Sequence, residues 1–126
     1  KKYLYAYASD KVESNKANFQ DSGDPYEEYR GAQTVPVNFY HSASPAGVHG
    51  MSGNVMEWCA DYYDYGFYRK APQGVWENPL CTEEKTMRTV RGGAWNLEPW
   101  IGRTTFRLGI NPNATLVNVG FRCAKE

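Results

Sequence analysis

The chain of 126 residues lacks any apolar run near the ~20 residues that a membrane-spanning helix needs. It has three cysteines, Cys59, Cys81 and Cys123, and no CxxC pair, which argues against a zinc ribbon or a thioredoxin-type redox site. Its two histidines, His41 and His49, have no third ligand in view and make a poor zinc set. No dense cluster of Lys and Arg is present, so a nucleic-acid footprint is not expected. The first residue is Lys and no signal peptide precedes it, which reads as a processed or trimmed end. The odd cysteine count fits one disulfide and a free thiol, or a partner cysteine upstream. It leans towards an extracytoplasmic, periplasmic or secreted, location.

Hydrophobic residues make up 41% and charged residues 22%, enough for one modest core in a single domain spanning 1–126. Aromatics reach 15%, with ten Tyr and four Trp. Such side chains join an apolar body to a polar tip and suit binding surfaces as well as cores. The net charge of zero hides an asymmetry. Residues 1–87 carry 8 Lys/Arg against 12 Asp/Glu, whereas residues 88–126 carry 6 against 2. The basic end therefore folds onto or beside an acidic half.

Long regular elements have little room among 12 Gly and 7 Pro. Met51 to Tyr63 is the best helix candidate, because Val55, Trp58, Cys59 and Tyr62 recur at helical spacing and Ser52 could cap it. Short strands are expected over Tyr3–Tyr7, Thr89–Arg91, Thr104–Leu108 and Val119–Cys123. Turn-rich stretches such as Ser44-Pro45-Ala46-Gly47 and Asn111-Pro112-Asn113 separate them. The expected class is a loop-rich α+β domain with short strands and one or two short helices. Trp58 and Trp95 are expected in its core.

Three segments carry a resemblance. Gly53-Asn54-Val55-Met56-Glu57-Trp58 comes first, Arg88-Thr89-Val90-Arg91-Gly92-Gly93-Ala94-Trp95 second, and Gly120-Phe121-Arg122 last. In this order and spacing they resemble the formylglycine-generating enzyme and sulfatase-modifying-factor family, which has a C-type-lectin-like fold. Asp61-Tyr62-Tyr63-Asp64, Ala17-Asn18-Phe19 and Val35-Pro36-Val37 extend the likeness from about Asn18 to Ala124. The family's upstream half is missing, so the chain is read as the C-terminal portion of such a domain.

The resemblance implies calcium at two places. One would use the carbonyls of Gly53 and Val55 and the carboxylate of Glu57, without the further side-chain ligand that many members supply where Gly50 stands here. The other would use Asn18 and the Phe19 carbonyl with an acid near Glu27 or Glu28. Calcium accepts such oxygen sets. The alternatives are that Glu57 caps or salt-bridges a neighbour, and that the acidic loop is merely solvated. Active members hold copper on two thiolates, soft ligands suited to Cu(I). The corresponding positions here are Leu97 and Gly102, with further departures at Ala94 and Met56. No copper or iron is therefore expected, and no residue is assigned as catalytic.

These departures point to a non-catalytic module in protein recognition, or to a structural subunit of a larger assembly. Trp100, Ile101, Arg103 and Leu116 are its expected partner surface. Arg103, Arg107 and Arg122 either bind an anionic partner or neutralise acids of the first half, with Arg122 paired inside the fold. One alternative is an oxygen-dependent enzyme of the formylglycine-generating or sulfoxide-synthase-like group. Another is a retroelement-diversified ligand-binding protein, which Glu98 and Trp100 disfavour because adenine-templated variation does not readily produce them.

Overall fold

Four short strands form the only regular sheet among the described residues. In a computed structural model of the chain, which describes residues 2–24 and 33–124, these are β1 (Met56–Tyr62), β2 (Arg88–Arg91), β3 (Leu108–Ile110) and β4 (Val119–Gly120). They lie in the order β3-β2-β1-β4. β2 runs antiparallel to β1 and β3, and β4 lies parallel to β1. Among the described residues helical structure is limited to two 3-10 turns, Phe67–Lys70 and Pro99–Gly102.

The helix expected over Met51–Tyr63 is instead a bend followed by the central strand. Gly53 and Asn54 take φ of 85° and 69°, a left-handed geometry that a right-handed helix cannot continue. The residues after them are claimed by neighbours on both sides, with Trp58 opposite Val90 and Met56 opposite Val119. Ser52 caps nothing. Its hydroxyl accepts from Ala6 N at 3.0 Å and donates to the Gly102 carbonyl at 3.0 Å, tying the N-terminal loop to the second 3-10 turn.

The strand expectations were partly displaced. Thr89–Arg91 is a strand and begins one residue earlier. Tyr3–Tyr7 reduces to a single bridge, Tyr5 to Ser9, around Ala8 at φ 62°. Residues 104–107 are a turn, in which Phe106 N donates to the Arg103 carbonyl at 2.9 Å, and the strand starts only at Leu108. The last strand stops at Gly120, well short of Cys123. The three cysteines are free, which removes the disulfide alternative.

Two small clusters make the core. Tyr5, Tyr7, Ala17 and Phe19 form one, with the Tyr5 and Tyr7 rings stacked at 5.5 Å and Phe19 edge-on to Tyr5 at 6.2 Å. Burial pushes the Tyr7 phenol up to about 12. Met56, Val90 and Ala94 form the other, and Trp58, Leu97, Ile110 and Val119 pack against it. Trp58 and Trp95 are half-buried, not the core residues expected. Trp58 covers the rim of the second cluster. Trp95 lies in the loop after the glycine pair, its indole Nε1 buried without an acceptor among the described residues.

The loops are held by backbone approaches that only small residues allow. A Cβ on Gly53 would lie 2.6 Å from the Asn18 carbonyl oxygen and 2.9 Å from Asn18 N. Beside it, the Asn54 side chain behaves like a piece of strand. Its Oδ1 accepts from Val35 N at 2.9 Å, and its Nδ2 donates to the Val35 carbonyl at 3.1 Å. Gly53→Ala is therefore expected to cost about 2–3 kcal/mol in urea unfolding, since backbone cannot yield as a side chain can. Asn54→Ala should cost about 1–3 kcal/mol through its two orphaned backbone partners. A Gly53→Ala loss under about 0.5 kcal/mol would show that the Asn18 segment moves freely.

Candidate functional site

The three sequence motifs converge on one patch. Gly53 N donates to the Gly92 carbonyl at 2.7 Å, Asn54 N to the Asn18 carbonyl at 2.8 Å, and Trp95 N to the Asn54 carbonyl at 2.9 Å. Gln20 N reaches the Leu97 carbonyl at 3.1 Å, which brings the 18–20 segment beside the loop after the glycine pair. The last motif arrives through β4, where Met56 N donates to the Asn118 carbonyl at 2.8 Å.

Positions 97 and 102 lie in this patch, and both are filled by packing. Leu97 is half-buried against Met56, Val90 and Ala94. Gly102 is buried, and a Cβ added to it would run into the edge of the Phe19 ring and lie 3.1 Å from the Gly92 carbonyl oxygen. Gly93 is similarly pressed, with a Cβ there falling 2.8 Å from Gly102 Cα and 3.0 Å from Phe19 Cε1. Phe19, fully buried, thus occupies the space that a side chain at 102 would need.

The first expected calcium position does not fit a cation in this arrangement. Both Glu57 carboxylate oxygens are taken by Arg122, whose Nε donates to Oε2 at 2.6 Å and whose Nη2 donates to Oε1. The same Nη2 donates to the His49 carbonyl at 3.0 Å. The carboxylate raises the Arg122 pKa further, so the guanidinium stays charged beside Glu57. A fork-to-fork pair of this kind satisfies the acid without a metal, as the salt-bridge alternative for Glu57 anticipated.

The second position retains a donor. Asn18 is 1% exposed, its Nδ2 donates to the Gln33 carbonyl at 2.7 Å, and its Oδ1 is buried with no partner among the described residues. A buried orphan oxygen normally has a water or an ion to satisfy it. A cavity of about 10 Å³ adjoins Asn18, Ser42 and Asn54, the size of one water. Asp24, also 1% exposed, is occupied by the Tyr40 hydroxyl at 2.8 Å and the Ser22 hydroxyl at 3.2 Å. Glu27 and Glu28 lie outside the described residues. Among the described residues no three His, Cys, Asp or Glu side chains gather where they could hold a metal.

The expected partner residues remain accessible. Trp100 is 46% exposed and Leu116 43%, and Arg103 is exposed while Ile101 is half-buried. Trp100 is set edge-on to Phe106 at 5.3 Å, and its Nε1 donates to Glu98 Oε2 at 2.6 Å. Asn118 Nδ2 donates to Asn96 Oδ1 at 2.9 Å, linking the loop that carries Leu116 to the segment that leads to Trp100. Reading the sequence missed the role of Phe19 as a filler and the stacking of arginines on tyrosines. The Ala17-Asn18-Phe19 segment drew notice for its likeness to the family and for its oxygen atoms, not for the packing of the Phe19 ring.

The whole chain, residues 1–126, matches the family profile described as a sulfatase-modifying factor enzyme 1-like domain. The chain belongs to the formylglycine-generating-enzyme-like family. It is 36% identical over 117 residues to the serine/threonine-protein kinase Pkn1 of Chlamydia trachomatis, covering 93% of this chain and 17% of that protein. It is 32% identical over 97 residues to the inactive C-alpha-formylglycine-generating enzyme 2 of Mus musculus, covering 72% of this chain and 26% of that one. In three dimensions it is similar to PvdO from Pseudomonas aeruginosa, with a TM-score of 0.69 at 24% identity, over 93% of this chain and 41% of PvdO. That likeness is one of fold. The chain thus spans a minor part of each relative it matches, and among the described residues no helix is long and apolar enough to cross a membrane.

Gly102→Cys is expected to cost about 1–3 kcal/mol in urea unfolding, because the added side chain overpacks against Phe19. The cost should shrink when the same change is made on a Phe19→Ala background, giving a non-additive double-mutant cycle. Equal costs in both backgrounds would show that the ring is not what fills the position.

Proposed function

We propose that this chain is a non-catalytic formylglycine-generating-enzyme-like module, C-type-lectin-like in architecture, that acts in protein recognition or as a structural part of a larger assembly. The observation that carries this reading is the pair of filled positions. Leu97 packs half-buried against the Met56, Val90 and Ala94 cluster, and Gly102 has no room for a side chain beside Phe19. Neither can offer the soft thiolate that copper chemistry requires. The likeness to an inactive family member and to short stretches of longer proteins supports the same reading. Trp100, Ile101, Arg103 and Leu116 supply the contact surface, an aromatic and aliphatic patch beside an arginine.

The test has two readouts. Purified protein incubated with Cu(I), oxygen and a cysteine-containing peptide should yield no aldehyde product by mass spectrometry. Cross-linking in the native extract should trap a partner at residues 100–116. Trp100→Ala with Leu116→Asp should lower the yield about tenfold, as truncation of an interface anchor does. Aldehyde formation, or cross-linking indifferent to both substitutions, would overturn the reading.

The buried orphan oxygen of Asn18 favours a second element, a calcium ion held there with the Phe19 carbonyl. A Ca²⁺ ion bound to the folded state at ~100 times its Kd would add about 2.7 kcal/mol of stability. The melting temperature should rise with calcium relative to EDTA, and Asn18→Ala should abolish that difference. An unchanged difference in the variant would place any calcium elsewhere.

A further inference from the structure

The turn over residues 103–107 runs beside two clefts that share Lys2, Thr104 and Thr105. The larger holds about 770 Å³, and its wall carries four cations, Lys2, Arg69, Arg91 and Arg107, among tyrosine rings and, among the described residues, no carboxylate. The smaller holds about 520 Å³ and continues past Tyr3 and Leu4 to Pro45. The acid in that second cleft, Asp10, is occupied by Leu4 N at 3.0 Å. Together the clefts make one groove, basic at the Arg69 end and apolar at the other.

Among the described residues none of the four cations forms an ion pair with a carboxylate. The ion pairs among the described residues use Lys16, Lys70, Lys85 and Arg122. Arg107 stacks on Tyr68 at 4.7 Å and Tyr63 at 5.3 Å, and its Nη2 donates to the Asp64 carbonyl at 2.7 Å. Arg69 lies 4.9 Å over the Tyr65 ring, and Arg91 donates to the Thr104 carbonyl. Rings and carbonyls orient these guanidiniums but leave their charge uncancelled. Four like charges held around one cleft repel each other, and an anionic occupant relieves that cost.

The shape decides between a small anion and a chain. A small anion needs donors aimed at one point, whereas these guanidiniums are turned towards carbonyls and rings and their charge is spread. A groove walled by Tyr65, Tyr68 and Phe106 and continued by the Leu4 cleft suits a segment that alternates carboxylates with apolar side chains. Tyrosine and arginine are also the residues that anchor protein interfaces.

We propose that this groove docks an extended acidic segment of a partner protein. The proposal rests on the recognition reading above and gives it a second contact surface. Its test is fluorescence anisotropy with the purified chain and a labelled peptide of alternating Glu and Ala, with an alternating Lys and Ala peptide as control. The acidic peptide should bind at low salt and weaken as salt screens the charges. Lys2→Glu with Arg69→Glu should weaken it at least about tenfold with unchanged circular dichroism, since neither side chain holds the fold, and Lys11→Glu should change nothing.

Absence of binding, affinity indifferent to the Lys2 and Arg69 reversals, or complete displacement by millimolar inorganic phosphate would overturn the proposal. The last result would mark a point-anion site. If the peptide fails while cross-linking through Trp100 and Leu116 persists, the groove falls and the recognition reading stands. If the peptide binds and that cross-linking is lost, the Trp100 surface falls and the groove remains.

Discussion

Asn54 adopts a left-handed backbone conformation and uses its main chain and side chain together to join four stretches of the molecule. Its N–H reaches the Asn18 carbonyl, its own carbonyl receives Trp95 N, and its carboxamide exchanges two hydrogen bonds with Val35. Asparagine suits the task because it tolerates the left-handed region and carries a donor and an acceptor on one short stem. In a molecule with so little regular structure, backbone groups without ladder partners must find others. Gly53 makes the arrangement possible by allowing the Asn18 backbone to approach within a distance that any Cβ would forbid. The small sheet is the consequence, because β1 can begin only where this bend releases the chain.

The same bend closes the space beside Gly102. Drawing Asn18 onto Gly53 carries Phe19 inward, and its ring settles against Gly93 and Gly102. Packing of this density leaves no slack for a side chain at 102. At the other end of the patch, Arg122 holds both oxygens of Glu57. A fully paired carboxylate offers a cation little, since binding would have to displace the guanidinium and leave it uncompensated. The patch is therefore built for rigidity, with the Asn18 carboxamide oxygen left as a buried acceptor without a partner among the described residues.

Charge is distributed differently around the 103–107 segment. The chain is neutral overall, yet Lys2, Arg69, Arg91 and Arg107 line one cleft in which no described residue is acidic. The tyrosines after β1 give the guanidiniums flat surfaces to rest on, which lets the cations stay ordered without being neutralised. A neutral chain with unbalanced local fields is suited to contacts of defined polarity.

The amino-acid sequence by itself determined the family, because ordered motifs such as Gly53-Asn54-Val55-Met56-Glu57-Trp58 and Arg91-Gly92-Gly93 are local and survive without knowledge of packing. It also shows that positions 97 and 102 hold leucine and glycine rather than cysteine, since a residue type can be read directly. Met51–Tyr63 was misread because Val55, Trp58, Cys59 and Tyr62 fall at a helical period, while what makes β1 a strand is pairing with β2 and β4, far along the chain. Only the tertiary structure decided that Glu57 belongs to Arg122, that Phe19 fills the place beside Gly102, and that cations separated by up to 105 positions share one groove. Each depends on contacts between distant residues, and such contacts leave no period or motif in a single sequence.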